Sequence, residues 1–226
     1  MGQPVKSADD RRSEILDTAQ MLFYTKGYEK TAVRDIIDEV GIAKGTFYHH
    51  FNSKAELLDA LITRLLDQSM LLLDPILADE NLTALEKLHS FFGQVSNLKI
   101  ENESLMRTLL PIWYQEDNTL MREKMTLVSQ EKMTPLFSQI VQQGIREGVF
   151  QAVYPAEIGG IVLQSLFAMG DTLARLLLST KERPAWETIQ VKIDAYNDAL
   201  ARLLGAESGA IHLFNLDPFQ HWFDNN

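Results

Sequence analysis

Residues 31 to 54, TAVRDIIDEVGIAKGTFYHHFNSK, constrain this fold most, because they encode two short helices separated by a tight turn. Val33, Ile36, Ile37 and Val40 recur at i, i+3, i+4 and i+7, a spacing that gives a helix one buried face. Thr31 stands just before them, where a hydroxyl can cap the first unpaired backbone N–H groups. Gly41 follows the last periodic residue, where a chain leaving a helix often takes a left-handed conformation that glycine adopts without steric cost. Ile42, Phe47 and Phe51 then supply the inner side of a second short helix, leaving Lys44, Gly45, Thr46, Tyr48 and His49 for its outer side. A helix offering a cation, a point of close backbone approach, a hydroxyl and a phenol suits a DNA major groove.

Gly27 and Tyr28, then Arg34, Ile36, Gly41, Lys44-Gly45-Thr46-Phe47-Tyr48, His50-Phe51 and Lys54 agree in order and spacing with one known pattern. In these residues the chain resembles the TetR family of bacterial transcriptional regulators, over residues 9 to 69. Ala32 and Ala43 depart from it, standing where the family often carries a hydroxyl residue. The resemblance implies a three-helix head with a helix-turn-helix motif at 32–51, joined to an all-α body over 70–226 for effector binding and dimerisation. It also implies phosphate contacts for Tyr48, His50 and Lys54. By chemistry alone, Lys44 can donate to guanine or to a phosphate, Thr46 can touch a base edge or a thymine methyl, and Gly45 lets the backbone come close. Arg34 is placed to reach a guanine or the backbone. Together with Thr31 and His49, these residues form the expected DNA-facing set.

A net charge of −10 looks wrong for such a partner, but it is unevenly spread. Residues 1 to 54 hold eight Lys and Arg against eight Asp and Glu, so the whole excess of acid lies in the remainder. An acidic body behind a neutral head repels DNA everywhere except at the docking face. The alternative is that the acid serves solubility alone. Zero cysteines exclude disulfides and thiolate metal sites and fit a cytoplasmic protein. No run of about 18 uncharged apolar residues is present, so neither a membrane span nor a signal peptide is expected.

Ser7 with Asp10 has the pattern of a capping box opening the first helix, whose apolar face is Ile15, Ala19, Leu22 and Phe23. Lys6, Arg11 and Arg12 at its start are either phosphate contacts or simply solvated. Ser53-Lys54-Ala55-Glu56 is a second capping box, opening a helix that carries Leu57, Leu58, Leu61, Ile62, Leu65 and Leu66 and is expected to end at Asp74-Pro75. Lys54 in that first turn opposes the helix dipole unless an anion also approaches. Further helices are expected over 82–98, 102–114, 118–146, 155–179 and 184–204, the last two opening on Pro155 and Pro184. The tail, AIHLFNLDPFQHWFDNN, is rich in Phe and Trp and is expected to pack.

Two surfaces of the body follow from composition. Ile158, Ile161, Val162, Ser165 and Met169, with Ile193, Tyr196 and Leu200, form a broad strip on the last two long helices; it reads as core or as a homodimer interface, and the resemblance favours the interface. Phe91, Met106, Trp113, Tyr114, Phe137 and Phe167 supply either a filled core or the wall of an apolar pocket for a small-molecule effector. Glu116 and Asp117 precede a helix, where acids commonly cap. His49-His50 offers no metal site, since adjacent helical residues point about 100° apart and no third ligand is apparent. No phosphate loop, nucleophile motif or zinc spacing is present, so neither an enzyme nor a cofactor is expected. The sequence therefore points to a homodimeric regulator, most simply a repressor, released from a palindromic duplex operator by an effector. The alternative is a helical dimer that binds a small molecule or protein partner without effector-controlled DNA release.

Overall fold

The computed structural model describes residues 7–179, 184–213 and 220–223, and every regular element among them is helical. The order is α1 (Ala8–Thr25), α2 (Val33–Val40), α3 (Lys44–His50), α4 (Lys54–Ala78), α5 (Ala84–Glu101), α6 (Glu103–Trp113), a 3-10 turn (Glu116–Asn118), α7 (Thr119–Arg146), α8 (Pro155–Leu178), α9 (Trp186–Leu204) and α10 (Gln220–Phe223). The all-α expectation therefore holds, with differences at particular ends. Helix α4 runs through Pro75 to Ala78 instead of stopping at Asp74-Pro75. Helix α9 begins at Trp186 behind Ala185, so Pro184 lies outside its first turn. Helix α6 continues through Pro111 to Trp113, in line with the expected span 102–114.

The chain forms two compact units. The first comprises residues up to Ser69 together with Arg107–Val128; the second holds Met70–Met106 and Ser129 onward. The stretch 107–128, grouped with the body in the sequence reading, thus packs with the head.

In the first unit the periodic faces converge as expected. Ile15, Ala19 and Phe23 of α1, Ile36 of α2, Phe47 of α3, and Leu57, Leu58, Leu61 and Ile62 of α4 are all fully buried. Met121 of α7 joins them in the same core. Removing the apolar surface of one such side chain from water contributes about 1.5–3 kcal/mol, so this cluster holds α2 and α3 despite their shortness. The start of α1 is fixed by its capping box: Asp10 N–H donates to Ser7 Oγ at 3.1 Å, and Ser7 N–H donates to the Asp10 carboxylate at 3.2 Å.

In the second unit Phe91 and Phe92 of α5, Phe137 and Ile140 of α7, Val162, Leu163 and Leu166 of α8, and Leu200 and Leu204 of α9 share one core. Helices α7 and α8 come close at Gly159, where a Cβ would lie 2.5 Å from the Ser138 backbone nitrogen. The Ser138 hydroxyl donates to the Ala156 carbonyl at 2.8 Å across the same crossing. A second cluster holds Ile189 and Ile193 with Trp222, which settles part of the aromatic tail. The rest of that tail, at 214–219 and 224–226, lies outside the described residues, as does Lys6. Helix α8 is long and apolar enough by composition to cross a membrane, with a mean hydropathy of 1.5 over its most apolar stretch. Its buried Val162, Leu163 and Leu166 belong to the shared core, which accounts for that composition on one side only.

Candidate nucleic-acid interface

The geometry of α3 is set from its inner side outward. Phe47 and Phe51 are buried, and their rings lie 6.1 Å apart. The turn before α3 forms at Gly41, with φ +72°; both Gly41 N–H and Ile42 N–H donate to the Ile37 carbonyl, at 3.0 and 3.2 Å. With the inner face anchored, Lys44, Gly45, Tyr48 and His49 stand exposed, and Thr46 and His50 are half-buried. The Lys44 ammonium sits 5.8 Å from the centre of the Tyr48 ring, within cation–π range. Arg34, on α2, has an 87% exposed side chain and only a loose 3.4 Å ion pair with Asp38. These seven residues remain free to meet a duplex.

Charge near the C-terminal end of α3 comes from α1 as well. The Arg12 guanidinium lies 5.0 Å from the centre of the Phe51 ring, and Arg11 pairs with Glu14 at 2.6 Å. Burial lowers the His50 imidazole below its ordinary value, and His49, Arg12 and Arg11 lower it further. An imidazole at this place can donate a ring N–H to a phosphate.

One expected contact is corrected. Thr31 neither caps α2 nor faces outward: it is fully buried, and its hydroxyl donates to the Gly27 carbonyl at 2.7 Å. The cap position belongs to Ala32, one residue later, whose N–H donates to the Asp35 carboxylate at 2.9 Å. Lys26 also pairs with Asp35, and this bond, followed by the one from Ala32 N–H, lowers the carboxyl below its ordinary value. Lys54 is also occupied. Its ammonium donates to the carbonyls of Tyr28 at 2.9 Å and Thr31 at 3.0 Å, and sits 4.2 Å from the centre of the Tyr28 ring. These carbonyls explain a cation in the first turn of α4 without any phosphate. The second capping box is one residue wider than expected: Glu56 N–H donates to Ser53 Oγ, but the Glu56 carboxylate takes the N–H of Asn52.

Sequence reasoning missed the residues that hold the turn before α2. Asn118 is 1% exposed; its Oδ1 accepts Tyr28 N–H at 2.8 Å, and its Nδ2 donates to the carbonyls of Ile112 at 3.0 Å and Phe23 at 3.4 Å. Asp117 accepts Glu29 N–H on its carbonyl at 3.0 Å and pairs with Lys30 at 2.5 Å. Gly27, with φ +92°, allows this approach, since a Cβ there would fall 2.9 Å from that of Asp117. No periodic pattern marks Asn118, the last residue of the 3-10 turn.

The six aromatic and methionine residues expected around an effector are divided. Trp113 and Tyr114 belong to the first unit, where Trp113 meets Tyr24 edge to face and Tyr114 lies under Arg122. In the second unit Phe91 and Phe137 are buried ring against ring at 5.3 Å, Phe167 packs on the same core, and Met106 packs with Ile189 and Trp222. Phe91 and Phe137 fill the core, while Met106, Trp113, Tyr114 and Phe167 are half-buried. Of the expected interface strip, Val162, Met169, Ile193 and Leu200 are buried inside the chain, while Ile161 is exposed and Ile158, Ser165 and Tyr196 are half-buried.

Residues 15–61 match the profile of the bacterial regulatory proteins of the tetR family, and residues 114–198 match a tetracyclin repressor-like C-terminal domain. Among curated proteins, the chain is 30% identical to the uncharacterised HTH-type transcriptional regulator YfiR of Bacillus subtilis, over 65% of this chain and 71% of that one. It is also 30% identical to the HTH-type transcriptional repressor KstR2 of Mycobacterium tuberculosis, over 67% and 74%. Reduced Escherichia coli NemR shares the fold with a TM-score of 0.53 at 18% identity, covering 89% of this chain and 100% of that one. A TetR-family regulator from Pectobacterium atrosepticum does so with a TM-score of 0.54 at 20% identity, covering 74% and 83%.

Proposed function

Because the chain belongs to the TetR family of bacterial transcriptional regulators, we propose that it is a cytoplasmic homodimeric repressor that reads a nearly palindromic operator through α3 and leaves it when a small molecule occupies the body. The observation that carries the DNA reading is the outer face of α3, with Lys44, Gly45, Tyr48 and His49 exposed over a buried Phe47 and Phe51. Lys44 and Arg34 act as donors to guanine edges or phosphates, Thr46 meets a base edge or methyl, and Tyr48 and His50 bond phosphates. The reading head corresponds to residues 9–69, braced by 107–128, and the effector and dimerisation functions to the remainder of 70–226.

Pairing is supported by α8, of which only 28% of the apolar stretch is buried within one chain. Ile161 at 44% exposure and Val191 at 67% stand out from α8 and α9 among exposed Ala168, Ala195 and Ala199, a surface small enough in relief for close helix packing. A second copy covers it, and two linked heads then bind with high effective concentration. Two copies of α3 enter successive major grooves about 34–36 Å apart or a multiple of it. An effector lowers DNA affinity only by the difference in its affinity for the two shapes.

Selection of bound duplexes from a random pool tests this. An inverted repeat among the recovered sequences supports sequence reading and twofold pairing together. Recovery of unrelated sequences only contradicts both.

A further inference from the structure

We propose that the second unit carries a site for a small molecule bearing an oxyanion, a carboxylate or a phosphate ester, held between Lys87 and Arg146 where α4 turns into α5. A cavity of about 420 Å³ opens there, within the roughly 300–1,000 Å³ usual for small-molecule sites. Its floor is Leu77, Leu136 and Ile140, and one face of α7 lines it, with Gln139 and Arg146 following Leu136 at i+3 and i+10.

The charge balance selects the ligand. Lys87 is only 7% exposed, an unusual state for an ammonium. Its Nζ donates to the Leu77 carbonyl at 3.0 Å, in the last turn of α4, which spends one of three donors. No carboxylate among the described residues pairs with it. The nearby Glu147 is committed elsewhere, accepting Ala84 N–H at 2.9 Å and Gln143 Nε2 at 2.6 Å. Arg146, exposed at the mouth, has no protein partner among the described residues. Among the described residues Glu80 is the one acid lining the cavity, so two cations face one anion. A buried cation of this kind is stabilised by an anion that enters with its own charge, and the free amides of Gln139 and Gln142 can bond the rest of such a molecule.

This site deepens the effector reading, on which only its consequence for DNA release depends. The test is calorimetric titration of the full chain with inorganic phosphate and, separately, with succinate, at an ionic strength held constant with chloride. Saturable binding of one molecule per chain is expected for at least one probe, and the probe that binds distinguishes phosphate ester from carboxylate. Arg146→Gln should weaken binding at least tenfold, whereas Arg202→Gln, on α9 and paired with Asp198, should leave it unchanged. Lys87→Met should abolish binding in protein whose helicity is intact; if that variant does not fold, the Arg146 comparison decides alone. Failure of both probes to saturate the wild type, or equal binding by Arg146→Gln, overturns the site. Binding that leaves operator affinity unchanged removes the effector role and leaves the site standing.

Discussion

Replacing Asn118 with alanine tests whether the α6–α7 junction braces the reading head. The side chain satisfies Tyr28 N–H at 2.8 Å and donates to the carbonyls of Ile112 and Phe23, all within a nearly sealed pocket. The Ile112 carbonyl keeps a second donor, Gln115 N–H, so the main loss falls on the buried Tyr28 N–H. Leaving such a donor unpaired costs about 1–3 kcal/mol, and the forfeited donations add about 0.5–1 kcal/mol. The total, about 1.5–4 kcal/mol, is a large share of the roughly 5–15 kcal/mol that holds a domain folded. Urea denaturation measures the total, and amide exchange at Tyr28 locates it, with protection there expected to fall more than along α1. Operator affinity should fall too, although Asn118 lies on neither α2 nor α3, because the turn it holds leads into α2. A loss below about 0.5 kcal/mol with Tyr28 still protected would refute the bracing role.

Three further outcomes follow from the same geometry. Lys54→Met keeps the stem but removes the bonds to the Tyr28 and Thr31 carbonyls and the contact with the Tyr28 ring; a loss of about 1–3 kcal/mol in chemical denaturation is expected, and wild-type stability would reject the clamp. Gly159→Ala forces a Cβ to within 2.5 Å of the Ser138 backbone and should destabilise the chain by about 1–3 kcal/mol in thermal unfolding. Asp35 has a lowered carboxyl pKa in the folded state, chiefly through Lys26 and then Ala32 N–H. Its contribution is therefore present above the ordinary carboxylate value and is lost as pH falls through the lowered one. A carboxyl NMR titration should place its midpoint below that of an unfolded aspartate, and Asp35→Asn should flatten the acid limb of the stability curve.

Local signals were legible in the sequence because their physics is local. The Ser7–Asp10 box, the left-handed Gly41 and the inward Phe47 and Phe51 each depend on residues within a turn or two. Thr31 shows the limit: a threonine one place too early for the cap turns its hydroxyl into the core, and Ala32 is capped by a carboxylate instead. The bonds from Lys54 to the Tyr28 carbonyl and from Tyr28 N–H to Asn118 went unseen because each joins residues more than 20 apart, a distance at which periodicity reports a face and never a partner. Composition could not separate a packed core from a cavity wall, so Phe91 and Phe137 read equally well as either. On α8, apolar almost all round, Ile161 and Val162 are neighbours of the same chemistry, one exposed and one buried. Only the packing of the helices around α8 decides between them.

The central claim is that the outer face of α3 meets duplex DNA. Fluorescence anisotropy of the selected operator, titrated with wild type, Lys44→Ala and Tyr48→Ala proteins over a range of salt, measures it directly. Wild-type affinity should fall with salt by a log–log slope of about −0.9 per phosphate contacted. Lys44→Ala should cost about 1–3 kcal/mol of operator binding and Tyr48→Ala should weaken binding to every sequence alike, while sedimentation still shows a dimer. Equal affinity for all three proteins, or no binding to any duplex at low ionic strength, would contradict the account.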